Sequence, residues 1–166
     1  MAFITPSAWN GTLLRDSLTQ SDTSKIDFDS ATPVWRCALY TSTVTGIDKN
    51  SSTTNYGVYS ATNECTHAGY TAGGGTEGNL GTPTLTASAG VLLWGSATGT
   101  QIWGGGTAIT WTTSTGPEGL IVYASASVAT QRAAVYINFG TGAGIAVTAS
   151  TLTVTWGADK VGKITY

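Results

Sequence analysis

Glu64, Cys65 and His67 stand within four consecutive positions, and they are the residues of this chain whose types could do chemistry. A thiol beside an imidazole is the pair from which cysteine hydrolases build a nucleophile, with a third group to orient the ring. The spacing works against that use. On an extended segment Cys65 and His67 share one face while Glu64 takes the other, so the acid is badly placed to hold the imidazole. Such dyads also come from separate segments, and no helix start that would stabilise an oxyanion is suggested nearby. His67 is the chain's only histidine and no close ligands cluster around it, so a metal site is not expected. Gly73-Gly74-Gly75 lacks the lysine and the following helix of a phosphate loop. Glycoside hydrolysis needs two carboxylates across a cleft, and the nine acidic residues are scattered without suggesting such a pair. Asp27 and Asp29 alternate with Ile26 and Phe28 and read as the solvated face of a strand. The expectation is a protein with no catalytic residue, no cofactor and no metal: not an enzyme.

The stretch that holds these residues, Asn63 to Gly75, then reads as a structural centre. Its one large apolar group, Tyr70, lies between small residues that let backbone approach backbone. Gly69 and Gly73 are expected at positive φ, turning the chain at both ends of a short extended piece with Tyr70 buried or half-buried between them. Asn63, Glu64, Gly69 and Tyr70 are the structural motif, and Gly73→Val is expected to cost more than ~1 kcal/mol.

At 166 residues the chain fits a single domain, 1–166, with a sizeable core. Hydrophobic residues make up 41% and charged residues only 10%, with 22 glycines and abundant serine and threonine. Seven Lys and Arg, scattered from Arg15 to Lys163, and a net charge of −2 leave no basic patch for nucleic acid. The longest apolar run falls short of a membrane span, and the start has no basic region before an apolar core, so no membrane or secretory route is expected. Cys37 and Cys65 are expected as reduced thiols. A surface neither charged nor greasy suits a protein packed against other proteins.

Residues 1–25 read as an N-terminal arm, Met1 to Thr5, and one short helix over about 7–19, where Ala8, Trp9, Leu13, Leu14 and Leu18 approach one-sided spacing. Ile26 to Asp29 and Val34 to Ser42 read as strands, the second bulky on both faces and so central or covered on both sides. Thr43 to Asn55 is a long loop of the kind used for interaction, and Tyr56 to Ser60 reads as a crossing back over the sheet. From Thr82 onward short strands alternate with Gly-rich turns: 84–87, 90–96, 100–103, 107–112, 118–125, 131–139, 144–149, 151–156 and 160–166. The fold expected is all-β, an antiparallel β-sandwich or flattened barrel of eight to ten strands with one short N-terminal helix. Of the six tryptophans, four are expected in the core and two at contacts, with Trp103 a contact candidate.

Asn63-Glu64 followed by Gly69-Tyr70-Thr71-Ala72-Gly73-Gly74 resembles a signature of small bacteriophage virion proteins encoded among head and tail genes. Ala38-Leu39-Tyr40-Thr41-Ser42, a Trp-bearing strand, an Ile-Val-Tyr strand, a Phe-Gly corner and a C-terminal Thr-Val-Thr-Trp strand follow the same order, so the resemblance covers most of the chain. The chain departs from many of these relatives in its low charge between Val91 and Tyr166. The resemblance implies a capsid decoration or cement protein on the exterior of a head shell assembled in the host cytoplasm. Its partners would be the phage major capsid protein and neighbouring copies of itself. Candidate contacts are Met1 and Phe3 in the arm, Ile47, Asp48 and Lys49 in the long loop, Gly73, Gly74 and Gly75, and Trp103. The alternative is a tail- or fibre-associated domain that binds host surface glycans through exposed aromatics.

Overall fold

A computed structural model describes residues 8–9, 34–41, 63–95, 99–125, 133–140, 143–156 and 161–165. They form eleven strands: β1 (Ala8–Trp9), β2 (Trp35–Tyr40), β3 (Thr84–Ser88), β4 (Val91–Gly95), β5 (Thr100–Trp103), β6 (Ile109–Trp111), β7 (Gly119–Ala124), β8 (Ala133–Asn138), β9 (Val147–Ser150), β10 (Leu152–Thr155) and β11 (Gly162–Thr165). The helical content described is a single 3-10 turn, Ala72–Gly74. Every strand pair is antiparallel. The ladders make a four-stranded sheet in the order β1-β8-β7-β2, a three-stranded sheet β11-β4-β3, and the two-stranded ribbons β10-β5 and β6-β9.

The residue patterns account for these elements. In β5, Thr100 and Ile102 are exposed while Gln101 and Trp103 are buried, the period of a half-covered strand. β7, Gly-Leu-Ile-Val-Tyr-Ala, is buried at every position, as expected of a β-branched and aromatic strand inside a sheet. β3 and β4 are joined by Ala89-Gly90, both at positive φ (48° and 76°), the geometry of a two-residue hairpin whose twist matches its strands.

One apolar core takes side chains from all four sheets: Trp35, Leu39, Leu120 and Val122 from the largest, Trp94 from the three-stranded sheet, Trp103 from one ribbon, and Ile109, Trp111 and Val147 from the other. Trp35 meets Trp94 edge-on, with ring centroids 4.7 Å apart and planes at 73°, a favourable aromatic geometry that joins the two larger sheets. The opposite face of the four-stranded sheet buries a second cluster, Ala38, Tyr40, Ile121, Tyr123, Ala133 and Tyr136. β2 is thus covered on both faces, as its bulk on alternate sides predicts.

The helix expected over 7–19 is corrected where it can be compared. Ala8 and Trp9 are extended and pair with Tyr136 and Val135 of β8. The physical reason is that a weak helical propensity yields to an open sheet edge, where the backbone finds partners at once. The rest of that stretch, and the expected segments 26–29, 43–55 and 56–60, lie outside the described residues.

Candidate functional site

Asn63 to Leu80 is the segment on which the rest of the fold converges. Within the four-stranded sheet β2 has β7 on one side only, so Cys37, Leu39 and Thr41 turn their N–H groups toward the other. Residues 63–65 and 78–80 close that side like one strand broken in the middle. Asn63 O accepts from Thr41 N (3.1 Å), and Cys65 N donates to Leu39 O (2.9 Å). Gly78 O accepts from Cys37 N (2.8 Å), and Leu80 N donates to Trp35 O (3.0 Å). Between these anchors residues 66–77 leave the sheet, and the donor they would strand is Leu39 N. The Tyr70 hydroxyl takes it, at 2.9 Å.

That hydroxyl in turn donates to Glu64 Oε1 at 2.5 Å, and the same oxygen accepts from Gly73 N at 2.7 Å. Burial first, then the charge and hydrogen bond of Glu64, push the Tyr70 phenol well above its ordinary range and keep it a donor. The excursion is held from outside by donors on later elements. Trp103 Nε1 donates to Gly74 O (3.1 Å), Trp111 Nε1 to Thr66 O (3.2 Å), and the Tyr123 hydroxyl to Gly73 O (2.9 Å). Gln101 Nε2 donates to Asn79 O (3.2 Å), and Gln101 Oε1 accepts from Trp156 Nε1. The indoles of Trp103 and Trp111 and the phenol of Tyr123 each spend their one donor on a backbone carbonyl of the segment, and the Trp156 indole spends its own on the Gln101 side chain that reaches Asn79.

Gly73 has the expected positive φ, 75°. Gly69 does not, and the expectation there is corrected. It is required for closeness: a Cβ would fall 2.8 Å from Ile109 Cγ2 and closer still to Thr107 O. Tyr70 is buried, in contact range of Trp103 and Trp111 (centroids at 6.4 and 5.9 Å). Of the proposed contact residues, Trp103 is fully buried, since its indole is used on Gly74; this corrects its reading as a surface anchor. Gly74 and Gly75 are buried and Gly73 half-buried. Met1, Phe3, Ile47, Asp48 and Lys49 lie outside the described residues. Sequence reasoning missed Tyr123, Thr110 and Gln101 as partners of the segment. The need of a buried polar tip for a partner could have pointed to Tyr123 and Gln101, but nothing local points to Thr110, which uses its backbone N–H.

The geometry gives the Cys65–His67 pair no nucleophile. Cys65 is buried, and desolvation, reinforced by the Glu64 charge, pushes its thiol far above the ordinary value. His67 Nδ1 faces Gly69 N at 3.2 Å and Nε2 faces Thr110 N at 3.3 Å, so two backbone donors compete for the one lone pair of a neutral imidazole. Glu64 and Glu118 are buried, which leaves Glu77 as the exposed carboxylate among the described residues and no pair across an open cleft. Among those residues no group of three or more His, Cys, Asp or Glu could hold a metal ion.

The buried thiols and phenols fix a pH response. Burial raises Cys37, Cys65 and Tyr70, and pushes Tyr123 up to about 12 against the opposing pull of Arg36. In the unfolded chain these groups titrate near 9.0 and 10.0. Above that range the folded state binds more protons than the unfolded one, so stability falls as pH rises. Thermal melts should give a level Tm up to about pH 9 and a progressive loss beyond it, shallower in Tyr123→Phe. A Tm unchanged at about pH 11 would contradict this account.

A comparison with known protein families, curated proteins and solved structures finds no match for this chain.

Proposed function

We propose that the protein is a structural component of a bacteriophage virion, a decoration or cement protein that binds the assembled head shell and bridges its subunits. The observation that carries this reading is the run of uncharged exposed positions on β3, β5, β6, β9 and β10. The exposed positions of β3, β5, β6, β9 and β10 are threonine, serine, alanine, leucine and isoleucine. Contact area repeated over a lattice, rather than charge, is what a shell-bridging protein needs. The four sheets around one shared core are read as a β-sandwich or flattened barrel, a scaffold from which arms and loops reach neighbours. The ordered motif set from Asn63-Glu64 through Gly-Tyr-x-x-Gly to Thr-Val-Thr-Trp supports the same assignment.

Purified protein is expected to bind assembled shells and not unassembled shell subunits. Electron microscopy of the particle would place it at hundreds of positions over the head. Density at the tail tip alone would replace this reading with the glycan-binding tail domain. The described residues do not favour that alternative: Trp35, Trp94, Trp103 and Trp111 are buried and Trp156 is half-buried, so none offers an exposed stacking platform.

A further inference from the structure

Among the described residues β3 is an edge strand, with no strand on its outer side. The Trp94 carbonyl accepts from Val161 N on the far side of β4, so Leu85↔Trp94 is a non-hydrogen-bonded position of the β3–β4 ladder. Leu85 and Ala87 therefore turn their N–H and C=O groups away from β4, and among the described residues no strand pairs with that side. Both faces of β3 are in solvent as well: Thr84, Leu85, Thr86 and Ala87 are all exposed, Leu85 by 40%. Natural edge strands are blunted by charge, proline or a bulge. β3 has none of these within it; its register with β4 is unbroken, and no charged residue occurs between Glu77 and Glu118.

We infer that β3 pairs with β3 of a second copy of this chain, antiparallel about a two-fold axis through Thr86. In that register Leu85 exchanges both backbone bonds with Ala87 of the second copy, and Ala87 does the same with its Leu85, so every outward group is used. One face then lays each exposed leucine over the other chain's alanine, and the opposite face sets threonine against threonine. Cross-strand pairs of this kind stabilise a sheet, and no like charges meet. The edge is thus complementary to itself, which is what an isologous interface requires. The two three-stranded sheets become one continuous sheet. This inference does not rest on the virion reading, since a head or a tail protein could use the same dimer.

The test is sedimentation of the full chain together with two variants. Wild type is expected at twice the monomer mass. Ala87→Pro removes an outward donor without touching a bond to β4 and is expected to sediment as monomer with an unchanged circular dichroism spectrum. Thr86→Cys places a thiol on the two-fold, in a non-hydrogen-bonded pair with Cα atoms ~4.5 Å apart, within the span of a disulfide. It should cross-link to a covalent dimer under mild oxidation at least tenfold faster than Gly105→Cys, an exposed site away from β3. Cys37 and Cys65 are buried and do not compete. Wild type that sediments as monomer at every concentration overturns the inference, as does equal cross-linking of the two cysteine variants. If Ala87→Pro does not fold, the cysteine comparison decides alone.

Discussion

Glu64→Ala should lower the stability of the fold by about 3–5 kcal/mol, because it leaves the buried Tyr70 hydroxyl and the half-buried Gly73 N–H without their acceptor. Removing one partner of a buried polar pair costs more than the pair itself contributes, since the orphaned donor keeps its full desolvation penalty. Against a total of about 5–15 kcal/mol for a domain, that is a large share. In a chain of this size the melting temperature should fall by roughly 10 °C. Glu64→Gln retains a carbonyl oxygen and should lose less than half as much. The effect should also reach β2: once Tyr70 is free to turn, Leu39 N loses its acceptor and its amide should exchange faster with solvent. A Glu64→Ala protein with the parent Tm and a protected Leu39 amide would show that this chain of bonds holds nothing.

Gly74→Ala is expected to be at least as damaging, for a different reason. Gly74 has φ +76°, and a Cβ there would lie 3.0 Å from the carbonyl carbon of Cys37 and closer still to its oxygen. Backbone strain alone costs about 1 kcal/mol, and the clash is with a strand whose two faces are packed, so β2 cannot retreat. A loss of about 4 kcal/mol or more follows. Two other glycines separate the causes. Gly99 has φ +56° with nothing within 4 Å of its Cβ, so Gly99→Ala should show the strain alone. Gly105 has neither a positive φ nor a neighbour, and Gly105→Ala should stay within about 0.5 kcal/mol of the parent. Melting temperatures that fail to follow the order Gly105, Gly99, Gly74 would refute the separation.

The strands were legible because their burial is written in local pattern. The alternation of Thr100-Gln101-Ile102-Trp103 and the unbroken apolar run Leu120 to Ala124 lead to the elements observed. The first segment was not legible, because apolar residues at Ala8 and Trp9 fit a helix face as well as a short strand, and pairing with β8 decides between them. In the Asn63–Gly75 stretch the need for glycine and the burial of Tyr70 could be read from composition. What Gly69 is for could not, since Thr107 and Ile109 are distant in sequence. The same holds for Trp103, whose place inside depends on Gly74 O, a partner that no local window contains.

The broken strand at the edge of β2 also sets an order of events during synthesis and folding. Its excursion is fastened by Trp103, Trp111 and Tyr123, separated from their acceptors by 29, 45 and 50 positions. Residues 63–80 leave the ribosome before any of these fasteners, and until then their hold on β2 rests on their backbone bonds to it and on the Glu64–Tyr70–Gly73 link. The excursion is fully fastened only when β5, β6 and β7 are in place. Contacts that span such distances close slowly, because loop entropy is lost before they form. The vulnerable species is therefore a sheet whose last edge is only loosely held, and crowding in that interval favours the wrong partner strand.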